Sequence, residues 1–253
     1  MKLPVWEELP EQMRTESVRP YYDSLQRKRV SLLFKRVFDI VAAVSLLLFL
    51  SPAFLLFAIW IKADSPGPIL FRQLRITQFG KEFRIFKFRT MVSNAEALGG
   101  QVTTHGDERV TKAGQFLRKY RIDEIPQLLN IIAGDMSFVG VRPEVPRYAA
   151  QYTAEMYATL LLPAGVTSQA SIYYKDESVL LDGVDDIDRV YIEKVLPGKM
   201  YYNLKSIENF GFWHEILLML QTLKDSFSAA NILEIFIAKN SSNCKILLIK
   251  NQQ

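Results

Sequence analysis

The dominant feature of the hydrophobic pattern is Ile40 to Ile61, "IVAAVSLLLFLSPAFLLFAIWI", 22 residues without a charge. As a straight helix it would be roughly 33 Å long, enough to cross a bilayer. Two features favour a different path. Ser51-Pro52 sits at its centre, and a proline there removes a backbone donor and crowds the preceding turn, so a bend or break is expected. Both flanks are basic: Lys35 and Arg36 precede the run, and Lys62, Arg72 and Arg75 follow it. Basic flanks stay on the cytoplasmic side, so a helix that enters, breaks at Ser51-Pro52 and returns satisfies both. Each arm would be about ten residues, or roughly 15 Å, about half the hydrocarbon depth. Ser51 is placed to bond a carbonyl that the break frees. A proline-kinked spanning helix is the other reading of this pattern. Asp39, just inside the first arm, is expected near the headgroups, paired with Arg36 or Lys35.

Elsewhere the pattern is that of a folded globular body. Residues 1–34 are polar with scattered aromatics and prolines, and read as a helix-prone extension ahead of the re-entrant helix at 35–62. "DSPGP", 64–68, is a break. "ILFRQLRI", 69–76, and "EFRIFKF", 82–88, predict two strands joined by a turn containing Gly80. Their alternation is imperfect, because Phe83 and Ile85 share one face and Phe86 and Phe88 the other; either both faces are covered or a bulge intervenes. Residues 92–107 read as a helix start and a polar loop, 110–120 as a short amphipathic helix, and 124–134 as another ended by Gly134. "GDMSFVGVRPE", 134–144, reads as a strand and turn, or as a substrate-binding edge carrying Arg142. A helix of mixed faces is expected within 143–165, closing a core at 63–172. Helices follow over 189–207 and 212–227 within a C-terminal segment, 173–227, and a tail, 228–253, carries no assigned role. The last helix presents Trp213, Leu217, Leu218, Leu220 and Leu223, for which core packing is the commoner use and a membrane surface the alternative.

Composition excludes global disorder: 49% of residues are apolar and 23% charged. The net charge of +4 is unevenly spread. Residues 27–36 hold five basic side chains and no acid, and 62–91 hold seven against two acids, whereas 176–193 hold seven acids and only Arg189. Basic character beside the most apolar segment suits anionic membrane lipids or a phosphorylated substrate before nucleic acid, for which no recognisable module is present. One cysteine, Cys244, excludes an intrachain disulfide and fits a reducing compartment. No secretory signal is apparent. His105 and His214 lack metal-ligand spacing.

The candidate chemistry lies in "RKYRIDEIPQLLN", 118–130. Asp123 and Glu124 follow Arg118, Lys119 and Arg121. By themselves the acids suit a helix start, since an aspartate caps and acids favour the positive end of the helix dipole. Their basic context, with Lys87, Arg89 and Arg142 in similar segments, suits phosphorus chemistry equally well. Arginine binds phosphate through two parallel hydrogen bonds. A carboxylate can attack phosphorus while arginines and a divalent ion neutralise the phosphoryl oxygens. Mg²⁺ needs only one or two protein carboxylates beside substrate phosphates.

Five stretches, in this order, resemble the bacterial sugar transferase family, the monotopic phosphoglycosyl transferases. They are "FKRVFDIVAA", "LSPAFLLFAIWIKADSPGPILFRQLR", "GKEFRIFKFRTM", "RVTKAGQFLRKYRIDEIPQLLNIIAGDMSFVGVRPE" and "PAGVTSQASI". The resemblance is to a short form, without the spanning helices that long members carry ahead of this core. It implies an α+β, mainly helical monotopic protein, with a re-entrant helix broken at Ser51 and Pro52, amphipathic surface helices and a small β-hairpin. It implies a catalytic dyad, Asp123 and Glu124, that also holds Mg²⁺. Asp123 would attack the β-phosphate of a nucleoside diphosphate sugar, and polyprenyl phosphate would then take the sugar phosphate from the enzyme. Lys87, Arg89, Arg118 and Arg142 match the basic substrate-binding positions. The implied place is the cytoplasmic face of the bacterial inner membrane. Val141 stands where the family has proline, and "GVTSQAS" where "GITGWAQ" is commoner, which leaves the sugar open. The oligomeric state is open too, a homodimer included. The alternative, a non-catalytic membrane scaffold for polysaccharide assembly, would explain the apolar run but not the dyad.

Overall fold

The computed structural model describes residues 3–95, 107–174 and 186–226. The polar loop before residue 107 with His105, most of the acidic stretch 176–188, and the tail with Cys244 lie outside them. The described chain is mainly helical, with two small sheets.

Helix α1 (Arg19–Arg27) leads into α2 (Arg29–Asp64), a helix of 36 residues that contains Pro52. Helical backbone runs through both Ser51 and Pro52. An interior proline costs a helix ~3 kcal/mol, partly by leaving the carbonyl four residues earlier without its donor. Here that carbonyl is Leu48 O, and the Ser51 hydroxyl donates to it at 2.8 Å. Serine thus supplies the hydrogen bond that proline cannot. By length and composition α2 is long and apolar enough to cross a membrane.

Strands β1 (Leu70–Ile76) and β2 (Glu82–Phe88) pair antiparallel in unbroken register from Leu70 opposite Phe88 to Ile76 opposite Glu82. No bulge intervenes, so the imperfect alternation reflects cover on both faces. Phe83 and Ile85 pack with Ala43, Leu128 and Ile131, while Phe88 packs with Ile61 and Leu117. Phe79 and Gly80, both at positive φ, form the hairpin turn.

Helix α3 (Lys112–Lys119) starts at Thr111, whose hydroxyl accepts from Gly114 N. Helix α4 (Gln127–Ala133) ends at Gly134 in the left-handed conformation. Asn130 on α4 closes the outer edge of β2, accepting from Phe86 N at 2.9 Å and donating to Arg84 O at 2.9 Å. β3 (Met136–Val139) and β4 (Ala164–Thr167) form a parallel pair. Between them the expected helix is reduced to short turns, Pro146–Ala149 and Met156–Leu161. α5 (Leu196–Glu208) and α6 (Phe212–Ser226) complete the described chain.

The N-terminal segment needs the clearest correction. Read as a polar extension, it supplies Leu3, Leu9, Met13, Val18, Tyr21, Tyr22 and Leu25 to the main core, with Tyr148, Leu161, Leu196 and Met200. Its apolar residues are spaced by short helical turns rather than by one regular period, which hides them in the sequence. Asp39 is also placed differently: buried, it accepts from Ser137 Oγ at 2.8 Å and Phe138 N at 3.3 Å rather than pairing with Lys35 or Arg36. Those two cations have partners of their own on the folded body. Lys35 donates to Val139 O and Glu215, and Arg36 to Ile131 O and Ile132 O.

Candidate active site

Asp123 and Glu124 lie in a tight helical turn, Ile122–Glu124, between α3 and α4. Arg121 enters it at φ 54, a left-handed conformation rare outside glycine, so the chain reverses sharply after α3. The capping reading fails, since neither this turn nor α4 has a side-chain cap. The dyad is held by tertiary contacts instead.

Glu124 Oε1 accepts from Lys87 Nζ at 2.8 Å and from Arg142 Nη2 at 2.8 Å. Lys87 is on the face of β2 that carries Phe83 and Ile85, which directs it to α4 and the dyad turn. Arg142 lies three residues beyond β3. Arg118, in the last turn of α3, donates through Nε to Thr90 Oγ1 at 2.8 Å. No sequence signal marks Thr90. Asp123 is buried, and its carboxylate enters no hydrogen bond among the described residues.

The two neighbouring acids are driven apart electrostatically. Burial opposes the Glu124 charge, but Arg142 and Lys87 more than reverse this and hold it far below the usual carboxylate range. Burial raises Asp123; Lys87, Arg118 and Arg142 oppose the rise and Glu124 adds to it. Lys87 is itself lowered by burial, against the pull of Glu124. Two adjacent carboxyls with opposite shifts take different roles: Glu124 is a fixed anion that orients two cations, and Asp123 keeps its oxygens available.

Arg89 does not join this group. Buried beneath the end of α2, it donates to Ile61 O, Ser65 O and Pro66 O at 3.2, 2.6 and 2.5 Å. Its guanidinium donates to one carbonyl of the last turn of α2 and to two just past its end, a helix-terminating contact. Asp64 holds the same junction by accepting from Ala113 N at 2.9 Å.

The sequence pattern of bacterial sugar transferases matches residues 30–229. The chain belongs to this family. It is 38% identical over 194 residues to UDP-N-acetylgalactosamine-undecaprenyl-phosphate N-acetylgalactosaminephosphotransferase of Aeromonas hydrophila, covering 75% of this chain and 43% of that protein. It is 34% identical to the UDP-glucose:undecaprenyl-phosphate glucose-1-phosphate transferase of Caulobacter vibrioides, covering 78% and 71%. A protein of the same description from Escherichia coli K12 is 32% identical, covering 86% and 45%. The chain therefore spans about half the length of the Aeromonas and Escherichia relatives.

Two features of this bacterial sugar transferase bear on what its site can hold. Among the described residues no three His, Cys, Asp or Glu side chains cluster as a metal cage. The adjacent carboxylates, one without a hydrogen-bond partner among those residues, fit a cation that takes few protein ligands and completes its shell with water and phosphate, as Mg²⁺ does. The second feature is a continuous apolar surface. Phe34 and Phe38 of α2 meet Phe212 of α6 at ring centroid distances of 6.4 and 5.9 Å, and Trp213, Leu217, Leu220 and Leu223 of α6 are 53–76% exposed. Only Leu218 of the expected apolar set is buried. The core-packing expectation for this helix thus gives way to an exposed face beside α2.

Proposed function

We propose that this protein transfers a sugar 1-phosphate from a UDP-sugar to undecaprenyl phosphate through a covalent aspartyl intermediate, as a first step of bacterial surface glycan synthesis. The observation that carries the reading is the division within the dyad. Asp123 is buried with its carboxylate in no hydrogen bond among the described residues, beside a Glu124 that binds Lys87 and Arg142. The names of the relatives support the substrate classes.

A carboxylate oxygen of Asp123 attacks the β-phosphorus of the UDP-sugar. A bond forms from that oxygen to phosphorus, the bond from phosphorus to the bridging oxygen breaks, and UMP leaves with its electron pair. An oxygen of undecaprenyl phosphate then attacks the same phosphorus. The aspartyl bond breaks, and undecaprenyl diphosphate sugar and the free carboxylate result. Lys87, Arg118 and Arg142 neutralise phosphoryl oxygens in both steps, and Glu124 keeps Lys87 and Arg142 aimed. Mg²⁺, held by Asp123 and Glu124, would supply further positive charge on those oxygens.

The membrane arrangement proposed is re-entrant, at the cytoplasmic face of the inner membrane and in contact with anionic lipids. Both ends of α2 are tied to one body. Lys35 and Arg36 bond to β3 and α4, while Arg89 and Ala113 bond to the opposite end of the helix. One folded body on one side of the bilayer is the simplest way to hold both. The exposed face of α6 would lie in the interface, where burying four such side chains contributes on the order of several kcal/mol.

The test is release of UMP from a panel of UDP-sugars with Mg²⁺ and undecaprenyl phosphate, alongside trapping of a radiolabelled sugar-phosphate adduct. Asp123→Asn is expected to abolish both, and Glu124→Gln to reduce turnover strongly. Full turnover by Asp123→Asn would eliminate the covalent mechanism.

A further inference from the structure

Beneath the site lies a buried polar cluster that the proposed reaction does not use. Glu144 Oε1 accepts from the Tyr191 hydroxyl at 2.6 Å and from Lys199 Nζ at 3.3 Å, and Lys199 Nζ lies 2.8 Å from the Tyr191 oxygen. Tyr148 packs its ring 4.5 Å from that of Tyr191. The Glu144 and Lys199 side chains are each 7% exposed. A buried ion pair contributes little stability over apolar packing of the same volume. What it supplies is a fixed position, and the position at stake is two residues from Arg142.

The backbone on either side of Arg142 is pinned at each step. Gly140 N donates to Thr167 O at 3.0 Å, and Val141 O accepts from Gly165 N at 2.8 Å. Pro143 O accepts from Arg75 Nη1 at 3.0 Å, and Glu144 O from Ile76 N at 2.9 Å. Pro143 has its φ fixed by its ring. Arg142 is the most exposed member of the Glu124 group, 38% against 21% for Lys87 and 12% for Glu124. Its aim therefore depends on the backbone from which it springs. The side chain of Glu144 anchors that backbone to the C-terminal helical layer, through Tyr191 and through Lys199 on α5.

We propose that Glu144 is a positioning residue: clamped by Tyr191 and Lys199, it fixes the 140–144 segment so that Arg142 reaches Glu124 and the phosphate. This rests on the reading of Glu124 and Arg142 as parts of a phosphoryl-transfer site. It makes the C-terminal layer, remote from the dyad in sequence, a determinant of the rate.

The experiment is a double-mutant cycle in membrane-reconstituted full-length protein. Glu144→Gln and Tyr191→Phe are each expected to lower kcat/KM roughly 10- to 100-fold, the range for groups that orient a functional side chain. Combined with Arg142→Lys, neither should lower it further, because both act through Arg142. Losses that multiply would overturn the proposal. Tyr191→Phe removes one hydroxyl and carries the cycle alone if Glu144→Gln does not fold. A second arm needs no turnover. Hydrogen exchange at the Gly140, Gly165 and Ile76 amides, whose bonds hold this segment, should quicken in Tyr191→Phe while α4 is unchanged, and unaltered exchange at those amides would also overturn the proposal. If the unaltered enzyme releases no UMP from any UDP-sugar, the transferase reading fails, and the exchange arm alone decides whether the clamp exists.

Discussion

At the scale of single residues, charge burial decides who does what. Glu215 on α6 shows this away from the dyad. Burial raises its carboxyl to about 7, with Asp39 adding to the rise and the bonded Lys35 opposing it. The folded protein therefore holds a proton there that the unfolded chain, with an ordinary carboxyl near ~4.3, has released. The stability contributed by Glu215 is complete below that ordinary value, falls as pH rises, and is lost above about 7. The difference is on the order of 3–4 kcal/mol. Unfolding followed from pH 4 to 8 should show this decline in the unaltered protein and lose it in Glu215→Gln, and identical profiles would refute it. Asp123 and Glu124 were legible in the sequence because acids among arginines are conspicuous. The place of Arg89 was not legible: nothing in "KFRTM" tells that its guanidinium bonds the end of a helix that finishes 25 residues earlier.

At the scale of elements, close backbone contact fixes the site more tightly than propensity does. Just past the end of β3, Gly140 lies against Gly165 of β4, and a Cβ on Gly165 would stand 2.1 Å from Gly140 N and 2.5 Å from its Cα. Backbone cannot step aside as a side chain can. Gly165→Ala is expected to cost about 1–3 kcal/mol and to lower turnover by displacing the segment that carries Arg142. Gly211→Ala, whose Cβ would meet nothing closer than 4.0 Å, should be near neutral in the same denaturation assay. The hairpin, α3 and α6 were readable from periodicity and turn residues. β4 was not, since four residues of "AGVT" carry no periodic signal and their pairing with β3 spans more than 20 residues of chain. Pro52 marked a real feature of α2, but the Ser51 hydroxyl meets the lost hydrogen bond and the helix continues.

At the scale of the whole molecule, the long apolar helix α2 and the body that carries Asp123 and Glu124 form one packed unit. Cysteines placed at Lys62, or at Arg29 near the other end of α2, should resist an impermeant thiol reagent applied to the outside of intact cells, in a background lacking Cys244. Labelling at either position would restore a spanning helix. The N-terminal segment belongs to the same unit: it precedes the residues matched to the family and still fills the main core with Met13, Val18 and Leu25. The sequence by itself determined the apolar helix with its basic flanks, the hairpin, the dyad and the kinship with sugar transferases. These are carried by local order, by composition within a window and by motif spacing, all of which survive without coordinates. Only the tertiary structure decided that Glu124 binds Lys87 and Arg142 while Asp123 bonds to none of the described residues, that Arg89 closes a helix, and that Glu144 reaches Tyr191 and Lys199. Each of those depends on which side chains meet across 18 to 55 residues of chain. That is set by packing, and no local pattern of residues encodes it.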